Sequence, residues 1–354
     1  MQHKKDIKSF SGAVLSEWFA DRKIKPYRAG QVLRWIFHRH VDSFDEMTDL
    51  SKDLRRLLSD EFSISRLQTV RVEESTDGSR KYLFRLKDGN IVESVLIPEK
   101  NHRTLCISSQ VGCAQGCRFC LTGRGGFIRD LVSSEIVNQI WEIRKGLDSE
   151  ARLSNIVLMG MGEPLANYDN VVAALKVIMA EDGLQFSNRR VTLSTAGLVP
   201  GIERLGGEIN MNLAVSLNAA DNEKRTYLMP VNRRYPLETL INACRAFPLD
   251  RRRMITFEYI LISGINDSPE DAEQLAKLLR PLRAKINLIP FNAFEETKFQ
   301  KPAESEILAF QKILTDHHYT AMIRRSKGSD ISAACGQLRC KEAGIEQSNQ
   351  NSSY

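Results

Sequence analysis

The sequence predicts an α/β protein whose main part is a partial (βα)6 TIM-like barrel, preceded by a small helical domain and a β-meander. Three observations lead to this prediction. Apolar residues recur at helical spacing within residues 1–66. Asp-Gly pairs separate short β-rich runs within residues 67–100. From residue 101 onward, short apolar strands alternate with helical segments, as they do in a parallel sheet with crossover helices.

The first 66 residues are predicted to form a small domain of three short helices. In the first two helices, apolar side chains recur three and four positions apart, at Val14, Leu15, Trp18 and Phe19 and at Val32, Leu33, Ile36 and Phe37. Asp49 or Ser51 can cap the third helix, which runs through Leu58.

Residues 67–100 are predicted to form a three-stranded meander that links the helical domain to the barrel. The expected strands are TVRVEE, KYLFRL and NIVESVLI. Asp77-Gly78 and Asp88-Gly89 lie between them, and Asp-Gly is a favoured pair in tight hairpin turns.

Residues 101–340 are predicted to form the barrel. Its six expected strands are TLCISS, NIVLMG, RVTLST, MNLAVSL, ITFEYILI and INLIPF. A last unit, SEILAFQKILTDHH followed by YTAMIRR, leads to GSDISAACGQL. In such folds the chemistry lies at the carboxyl ends of the strands. Residues 341–354 are predicted to be a polar tail without fixed structure.

Composition excludes several classes of protein. The 50 Lys and Arg residues exceed the 44 Asp and Glu residues, which gives a net charge of +6. No run approaches the roughly 20 apolar residues of a membrane span, and the first residues lack a secretory signal. We therefore expect a cytoplasmic protein with no membrane partner. Seven cysteines in such a chain favour metal ligation or thiol chemistry over a disulfide framework.

Three of the cysteines lie in the loop after the first barrel strand. Cys113, Cys117 and Cys120 follow the pattern C-x3-C-x2-C. Thiolates at this spacing suit an iron–sulfur cluster, which normally takes four cysteines. A cluster held by three leaves one iron free to bind a substrate and to deliver an electron to it. A structural zinc site is the alternative, but zinc takes four protein ligands and the nearest histidine, His102, precedes the strand.

This loop, with Phe119 before its last cysteine, resembles the hallmark of the radical S-adenosylmethionine (SAM) superfamily. The resemblance implies a [4Fe-4S] cluster whose open iron binds SAM. Reduction of the cluster would cleave SAM to a 5′-deoxyadenosyl radical. The protein would position these groups and exclude water.

Further segments resemble the SAM-binding parts of that superfamily. In MGMGEPLANY, Gly162 would allow close backbone approach and Glu163 would accept from the amino group of SAM. Read alone, this segment is only a strand-to-helix turn. Small polar or neighbouring residues at the ends of later strands are the other implied SAM contacts, namely Ser194, Ser216, Leu217, Asn218 and Asn292. Asn218 stands where the family usually has a histidine.

A narrower resemblance covers nearly the whole chain. The segments that carry it are PYRAGQVLRWIF, SFDEMTDLS, SSQVGCAQGCRFC, GMGEPLANYDN, STAGLVPGI, AVSLNAADNEKR and DISAACGQL. Together they resemble the RlmN family of adenine-C2 RNA methyltransferases, whose relative Cfr methylates adenine C8. The implied activity is methylation of an adenosine in 23S ribosomal RNA and of the adenosine 3′ of the anticodon in transfer RNA.

The resemblance to RlmN implies roles for three more residues. Cys335, in AACGQL, would carry the methyl group as S-methylcysteine, and Cys106 would be its resolving thiol. Glu93, in VESVLIP, would be the proton acceptor. Read alone, Glu93 would be a solvent-facing residue of an alternating strand, and Cys335 would be a small buried hydrophobic residue.

The implied reaction uses two SAM molecules per methyl transfer. One methylates Cys335, and the radical formed from the other removes hydrogen from the S-methyl group. The carbon radical adds to adenine C2, which links protein and RNA covalently. After the C2 proton is removed, Cys106 attacks the sulfur of Cys335 and leaves a disulfide that must be reduced.

The implied partners are RNA, an electron donor such as flavodoxin or ferredoxin, and a disulfide reductant; we expect a monomer. A phosphate-binding surface is expected on the helical domain and at Arg124, Arg129, Arg251, Arg252, Arg253, Arg324, Arg325 and Lys327. Two alternatives stay open. One is a Cfr-type C8 methyltransferase, and the other is a non-catalytic, zinc-containing RNA-binding protein. Cys244 and Cys340 have no expected role in the reaction.

Overall fold

The computed structural model describes residues 4–147, 152–294 and 297–339. Cys340 and the predicted tail, residues 341–354, lie outside the described residues. Within the described ranges, every helix is too short or too polar to cross a membrane.

The helical domain is built from three α-helices whose ends are tied by a small parallel strand pair. Its elements are β1 (Lys5–Asp6), α1 (Gly12–Asp21), α2 (Arg28–His38), α3 (Lys52–Glu61) and β2 (Phe62–Ser63). Ser51, one of the two predicted caps, accepts a hydrogen bond from the backbone N–H of Leu54 and so starts α3. The apolar stripes predicted for α1 and α2 supply the buried Leu15, Phe19 and Ile36.

The meander forms as predicted, but it does not stand apart from the barrel. Its strands are β3 (Gln68–Glu74), β4 (Arg80–Arg85) and β5 (Ile91–Pro98). The turn glycines Gly78 and Gly89 have φ angles of 81° and 86°, which only glycine adopts readily. β5 then pairs antiparallel with the first barrel strand, β6 (Arg103–Cys106), so meander and barrel form one continuous sheet.

The barrel follows with helices between its strands. The elements are β7 (Gln110–Gly112), α4 (Leu121–Arg124), β8 (Phe127–Asp130), α5 (Ser133–Lys145), β9 (Leu153–Leu158), α6 (Tyr168–Met179), β10 (Val191–Thr195), α7 (Val199–Glu208), β11 (Asn212–Ser216), α8 (Asn222–Leu228), α9 (Leu237–Ala246), β12 (Ile255–Leu261), α10 (Pro269–Leu279), β13 (Ala284–Pro290), α11 (Glu304–Asp316) and β14 (Thr320–Ile323). β7 and β8 pair with each other as a separate ribbon that carries the cysteine loop between them.

The main sheet has ten strands in the order β14-β13-β12-β11-β10-β9-β6-β5-β4-β3. The strands from β6 to β14 in this order run parallel, and the meander strands run antiparallel. The α/β fold predicted from the alternating pattern is confirmed, with β14 as a further parallel strand beyond the six. Because parallel strands share a direction, all their carboxyl ends lie at one edge of the sheet.

A buried lysine fastens the helical domain to the barrel. The ammonium of Lys8 is fully buried and donates to the carbonyl of Ser65 and to Oδ1 of Asn138, each at 2.8 Å. It also lies 3.6 Å from the ring centroid of Trp141, whose Nε1 donates to the carbonyl of Ile36. Burial lowers the pKa of Lys8 to about 8, against the opposing effect of Asp6.

We predict that this lysine makes stability depend on pH. Since the folded pKa lies below the unfolded value, the unfolded state binds more protons above pH 8, and stability rises with pH. The unfolding free energy of wild type relative to Lys8→Met should grow by about 1 to 2 kcal/mol between pH 8 and pH 9.5. Denaturant unfolding at both pH values measures it. If the difference in unfolding free energy between wild type and Lys8→Met were the same at both pH values, it would contradict the lowered pKa of Lys8.

Candidate active site

The three cysteines lie on the loop between β7 and α4, which we call the cluster loop (residues 113–120). The backbone N–H of Cys113 donates to the carbonyl of Gly126 at 2.8 Å, which anchors the loop to the β7–β8 ribbon. At its other side, the N–H of Arg118 donates to the carbonyl of Leu228 at 3.0 Å. The loop is therefore fixed at both ends, with the buried Cys117 in its middle.

The donor set suits a multi-iron cluster better than a single ion. Burial raises the pKa of Cys117 well above its usual value, and neighbouring Cys120 and Cys113 raise it further, so the three thiols interact. Within the described residues, no three His, Cys, Asp or Glu side chains gather closely enough to hold one metal ion. A cluster binds each cysteine through a different iron, so its ligands stand farther apart than those of zinc.

The Gly-Glu-Pro turn packs tightly against β7. Gly162 has a φ angle of 100°, and a Cβ atom there would lie 2.5 Å from Cβ of Gln110. Oε1 of Gln110 accepts from the N–H of Glu163 at 2.8 Å. This position requires glycine, because both the backbone conformation and the neighbouring side chain exclude any larger residue.

Glu163 is buried, and its carboxylate joins the carboxyl ends of two strands. Its oxygens accept from the N–H groups of Leu165, at 3.0 Å, and Ala196, at 2.7 Å. Burial raises the pKa of Glu163 to about 7, although these hydrogen bonds oppose the shift. Glu163, the predicted acceptor for the amino group of SAM, thus also links the ends of β9 and β10 through hydrogen bonds.

The other predicted strand-end residues fall into two groups. Ser194 and Ser216 are half-buried, and the pairing of Ser194 with Ala214 places both serines on the same face of the sheet. Leu217 and Asn218 are fully buried. Oδ1 of Asn218 accepts from the N–H of Ile260 at 2.7 Å. This side chain therefore makes a structural hydrogen bond at the position where histidine is usual.

The C-terminal segment (residues 328–339) folds back onto the cluster loop and α4. The carbonyl of Gly336 accepts from the N–H of Leu121, and the carbonyl of Leu338 accepts from Oγ1 of Thr122, each at 2.7 Å. A Cβ atom on Gly336 would lie 3.0 Å from the carbonyl oxygen of Phe119. The two chain segments are therefore in direct backbone contact.

This contact brings Cys335 beside Cys106. Cys335 is solvent-exposed, and its carbonyl accepts from Nδ2 of Asn292 at 3.2 Å. Burial raises the pKa of the Cys106 thiol, and Cys335 raises it further, so the two thiols lie close enough to interact electrostatically. Surrounding protein, followed by the charge of Glu258, raises the pKa of Cys335 to about 11. The residue as a whole is nevertheless exposed to solvent.

Glu93 is buried, which contradicts the interpretation of it as a solvent-facing strand residue. Its Oε2 accepts from the N–H of Arg339 at 2.9 Å, and Nζ of Lys81 lies 3.5 Å from Oε1. Val95 pairs with Cys106, so Glu93, two residues away on β5, shares the face of that cysteine. Burial raises the pKa of Glu93, and Lys81 partly opposes this effect.

Sequence reasoning missed two buried charged residues of the site. Glu258, on β12, pairs in register with Ser216 and accepts from Nδ2 of Asn287 at 2.9 Å. Lys81, on β4, forms an ion pair with Glu93, with Nζ 3.5 Å from Oε1. A lone glutamate in the apolar run ITFEYILI was the signal for the first, since an unpaired charge rarely occupies a buried strand. Cys244 is buried in the core.

Comparison with known proteins identifies the family of the chain. Residues 5–64 match the family described as the ribosomal RNA large subunit methyltransferase N-terminal domain, and residues 107–279 match the radical SAM superfamily. The chain is 55% identical to the dual-specificity RNA methyltransferase RlmN of Desulfosudis oleivorans, over 98% of this chain and 93% of that protein. It is 53% identical to the protein of the same name from Geobacter sulfurreducens, over 95% and 92%.

The chain belongs to the RlmN family of radical SAM RNA methyltransferases. The crystal structure of a radical SAM methyltransferase from Sphaerobacter thermophilus superposes with a TM-score of 0.89, at 42% identity over 95% of this chain and all of that one. The family and enzyme class inferred from the motifs are thereby confirmed. Membership of the RlmN family implies a [4Fe-4S] cluster and SAM.

We predict that the tight RlmN Gly-Glu-Pro turn tolerates no side chain. Gly162→Ala should lower the unfolding free energy by at least about 2 kcal/mol, because the new Cβ meets Gln110 and the left-handed backbone is strained. Gly207→Ala is the matched control, since a Cβ there meets nothing within 4 Å and lies in α7. It should be neutral or stabilising by less than about 1 kcal/mol. Equal denaturant midpoints for both variants would contradict the packing.

Proposed function

We propose that this enzyme methylates C2 of one adenosine in 23S ribosomal RNA and of the adenosine 3′ of the anticodon in transfer RNA, acting as a monomer. The observation that carries the proposal is the position of Cys335, which lies next to Cys106 and directly behind the cluster loop. The relatives are named dual-specificity RNA methyltransferases, which supports two classes of RNA substrate.

Cys113, Cys117 and Cys120 would hold the cluster, and the strand ends would hold SAM. The proposed SAM contacts are Gly162, Glu163, Ser194, Ser216, Leu217, Asn218 and Asn292. When bound, the cluster and two SAM molecules would supply a methyl group and a 5′-deoxyadenosyl radical. Cys117 and Cys120 lie in a partly apolar cluster that limits the access of water.

Cys335 is the proposed methyl carrier. Its sulfur loses a proton and gains the methyl group, and the exposed position leaves room for the RNA base to meet it. The target adenine must leave its stack to enter the strand-end edge of the barrel. Asn292 and the backbone hydrogen bond of Gly336 hold the main chain at Cys335.

Glu93 is the proposed base that takes the proton from C2 of the adduct. Two donors, Lys81 and the N–H of Arg339, fix the carboxylate on the face that carries Cys106. Burial raises the pKa of Glu93, which makes the carboxylate a better proton acceptor than it would be in water.

Cys106 is the proposed resolving thiol. Its thiolate attacks the sulfur of Cys335 and breaks the bond from that sulfur to the methylene carbon. This carbon takes up a proton and becomes the methyl group of the released base, and the one electron that the radical adduct must lose would return to the oxidised cluster. The resulting disulfide takes two electrons from a reductant before the next turnover, and a separate electron donor, such as flavodoxin or ferredoxin, reduces the cluster.

Basic side chains around the site and on the helical domain, residues 1–66, would bind phosphate. Arg22 and Arg39 stack on Trp18 and Trp35, each 3.9 Å from the ring centroid. Arg129 differs, since its guanidinium pairs with Asp88 and Glu135 and so has a structural contact already. Arg251 and Arg252 are exposed and remain candidates.

Cys335→Ala should abolish RNA methylation, and no methyl group from labelled SAM should appear on the protein. The control is Cys244→Ala, which removes a buried thiol of α9 and should keep activity within about two-fold. Mass spectrometry of ribosomal and transfer RNA, made in a host without its own enzyme, measures the products. Methylated RNA from the Cys335 variant would overturn the mechanism, and 8-methyladenosine in wild type would overturn C2 selectivity.

Cys106→Ala should leave the protein joined to its RNA, because nothing then attacks the sulfur of Cys335. Gel electrophoresis should show a slower band that disappears after RNase treatment, and Cys244→Ala should show none. Full turnover by the Cys106 variant, without the slower band, is the result that would remove this residue from the mechanism.

A further inference from the structure

Arg225, on α8, is a buried cation that the proposed reaction does not use. It is fully buried, and within the described residues its guanidinium meets only neutral acceptors. These acceptors are the carbonyls of Leu217, Ala196 and Ser216 and the side-chain Oδ1 of Asn232. Burying a charge costs several kcal/mol unless an opposite charge lies near it. A nearby anion would therefore offset the cost of burying this guanidinium.

Glu163, which accepts from the N–H of Ala196, is one buried carboxylate near this guanidinium, and the cluster loop would be a second source of negative charge. The N–H of Arg118 donates to the carbonyl of Leu228, in the last turn of the helix that carries Arg225. Cys117 packs in the same apolar cluster as Leu228 and Met229. The guanidinium donates to the carbonyl of Ala196, which belongs to that same apolar cluster, and both Arg225 and Cys117 are buried.

We propose that Arg225 is the counter-ion of the iron–sulfur cluster and favours its reduced state. The cluster with its thiolates is anionic, and reduction by the electron donor adds one electron and no proton. A fixed positive charge in a region of low dielectric attracts this added negative charge. Net charge near a cluster is one of the determinants of its reduction potential. The inference rests on the proposed ligation by Cys117.

A purely structural role is the competing explanation. The carbonyls of Ala196 and Ser216 lie at the ends of β10 and β11, so the guanidinium also ties these strands together. Charge and hydrogen bonding can be separated by substitution. Arg225→Lys keeps the charge and loses the forked hydrogen bonds, whereas Arg225→Gln loses the charge. Asn232→Asp keeps the arginine and neutralises it with a carboxylate, because Oδ1 of Asn232 lies 2.8 Å from Nη1.

The test is a redox titration of the reconstituted full-length enzyme, followed by the electron paramagnetic resonance signal of the reduced cluster, without RNA. Arg225→Gln and Asn232→Asp should shift the midpoint potential to more negative values. Arg225→Lys should stay near wild type. The matched control is Arg118→Gln, whose charge lies on the cluster loop but is exposed to solvent and should have little effect.

Wild-type potentials for both Arg225→Gln and Asn232→Asp would overturn the proposal, as would an equal shift for Arg225→Lys and Arg225→Gln. If Arg225→Gln does not take up a cluster, the midpoint potentials of Asn232→Asp and Arg225→Lys test the proposal. A more negative potential for Asn232→Asp alone supports it, and equal potentials overturn it. Cys117→Ala tests the premise separately, since it should lose the wild-type signal. A wild-type signal in that variant would overturn the ligand assignment and this proposal with it, whereas unchanged potentials would overturn the proposal alone.

Discussion

Two hydrogen bonds join α4, which directly follows the cluster loop, to the C-terminal segment, and the geometry of the site depends on them. Leu121 donates to Gly336, and Thr122 donates to Leu338. Each is an ordinary hydrogen bond, worth about 1 kcal/mol net. Together with the bond from Arg339 to Glu93, they connect the cluster loop, the meander and the last described residues. All three bonds involve residues that follow Cys335, and Asn292 adds a hydrogen bond to the carbonyl of Cys335 itself.

Buried charges at the site are held mainly by backbone groups. Glu163 accepts from two N–H groups, Glu93 accepts from one, and Arg225 donates to three carbonyls. Backbone dipoles fixed by strand ends do not reorient when a ligand arrives, so they provide a preorganised environment. Hydrogen bonds to these backbone groups offset the cost of burying the charges. Glu163 and Arg225 are held where parallel strands end, whereas Glu93 lies within the antiparallel strand β5.

Local patterns in the sequence predicted the elements well, because helical spacing, Asp-Gly turns and alternating strands are short-range signals. They could not predict that β5 pairs with β6, since register between distant strands depends on the whole sheet. The burial of Glu93 was missed for the same reason: a residue at 339 covers it. Arg225 carried no signal at all, because an arginine on a short polar helix usually faces water.

The contact between α4 and the C-terminal segment joins parts of the chain that are synthesised at different times. Thr122 and Leu338 are 216 positions apart, so a growing polypeptide exposes the cluster loop long before the last segment emerges from the ribosome. Contacts of such long range form late in folding. The three proposed cluster ligands and the proposed resolving thiol, Cys106, are therefore synthesised long before Cys335, the last of the described cysteines.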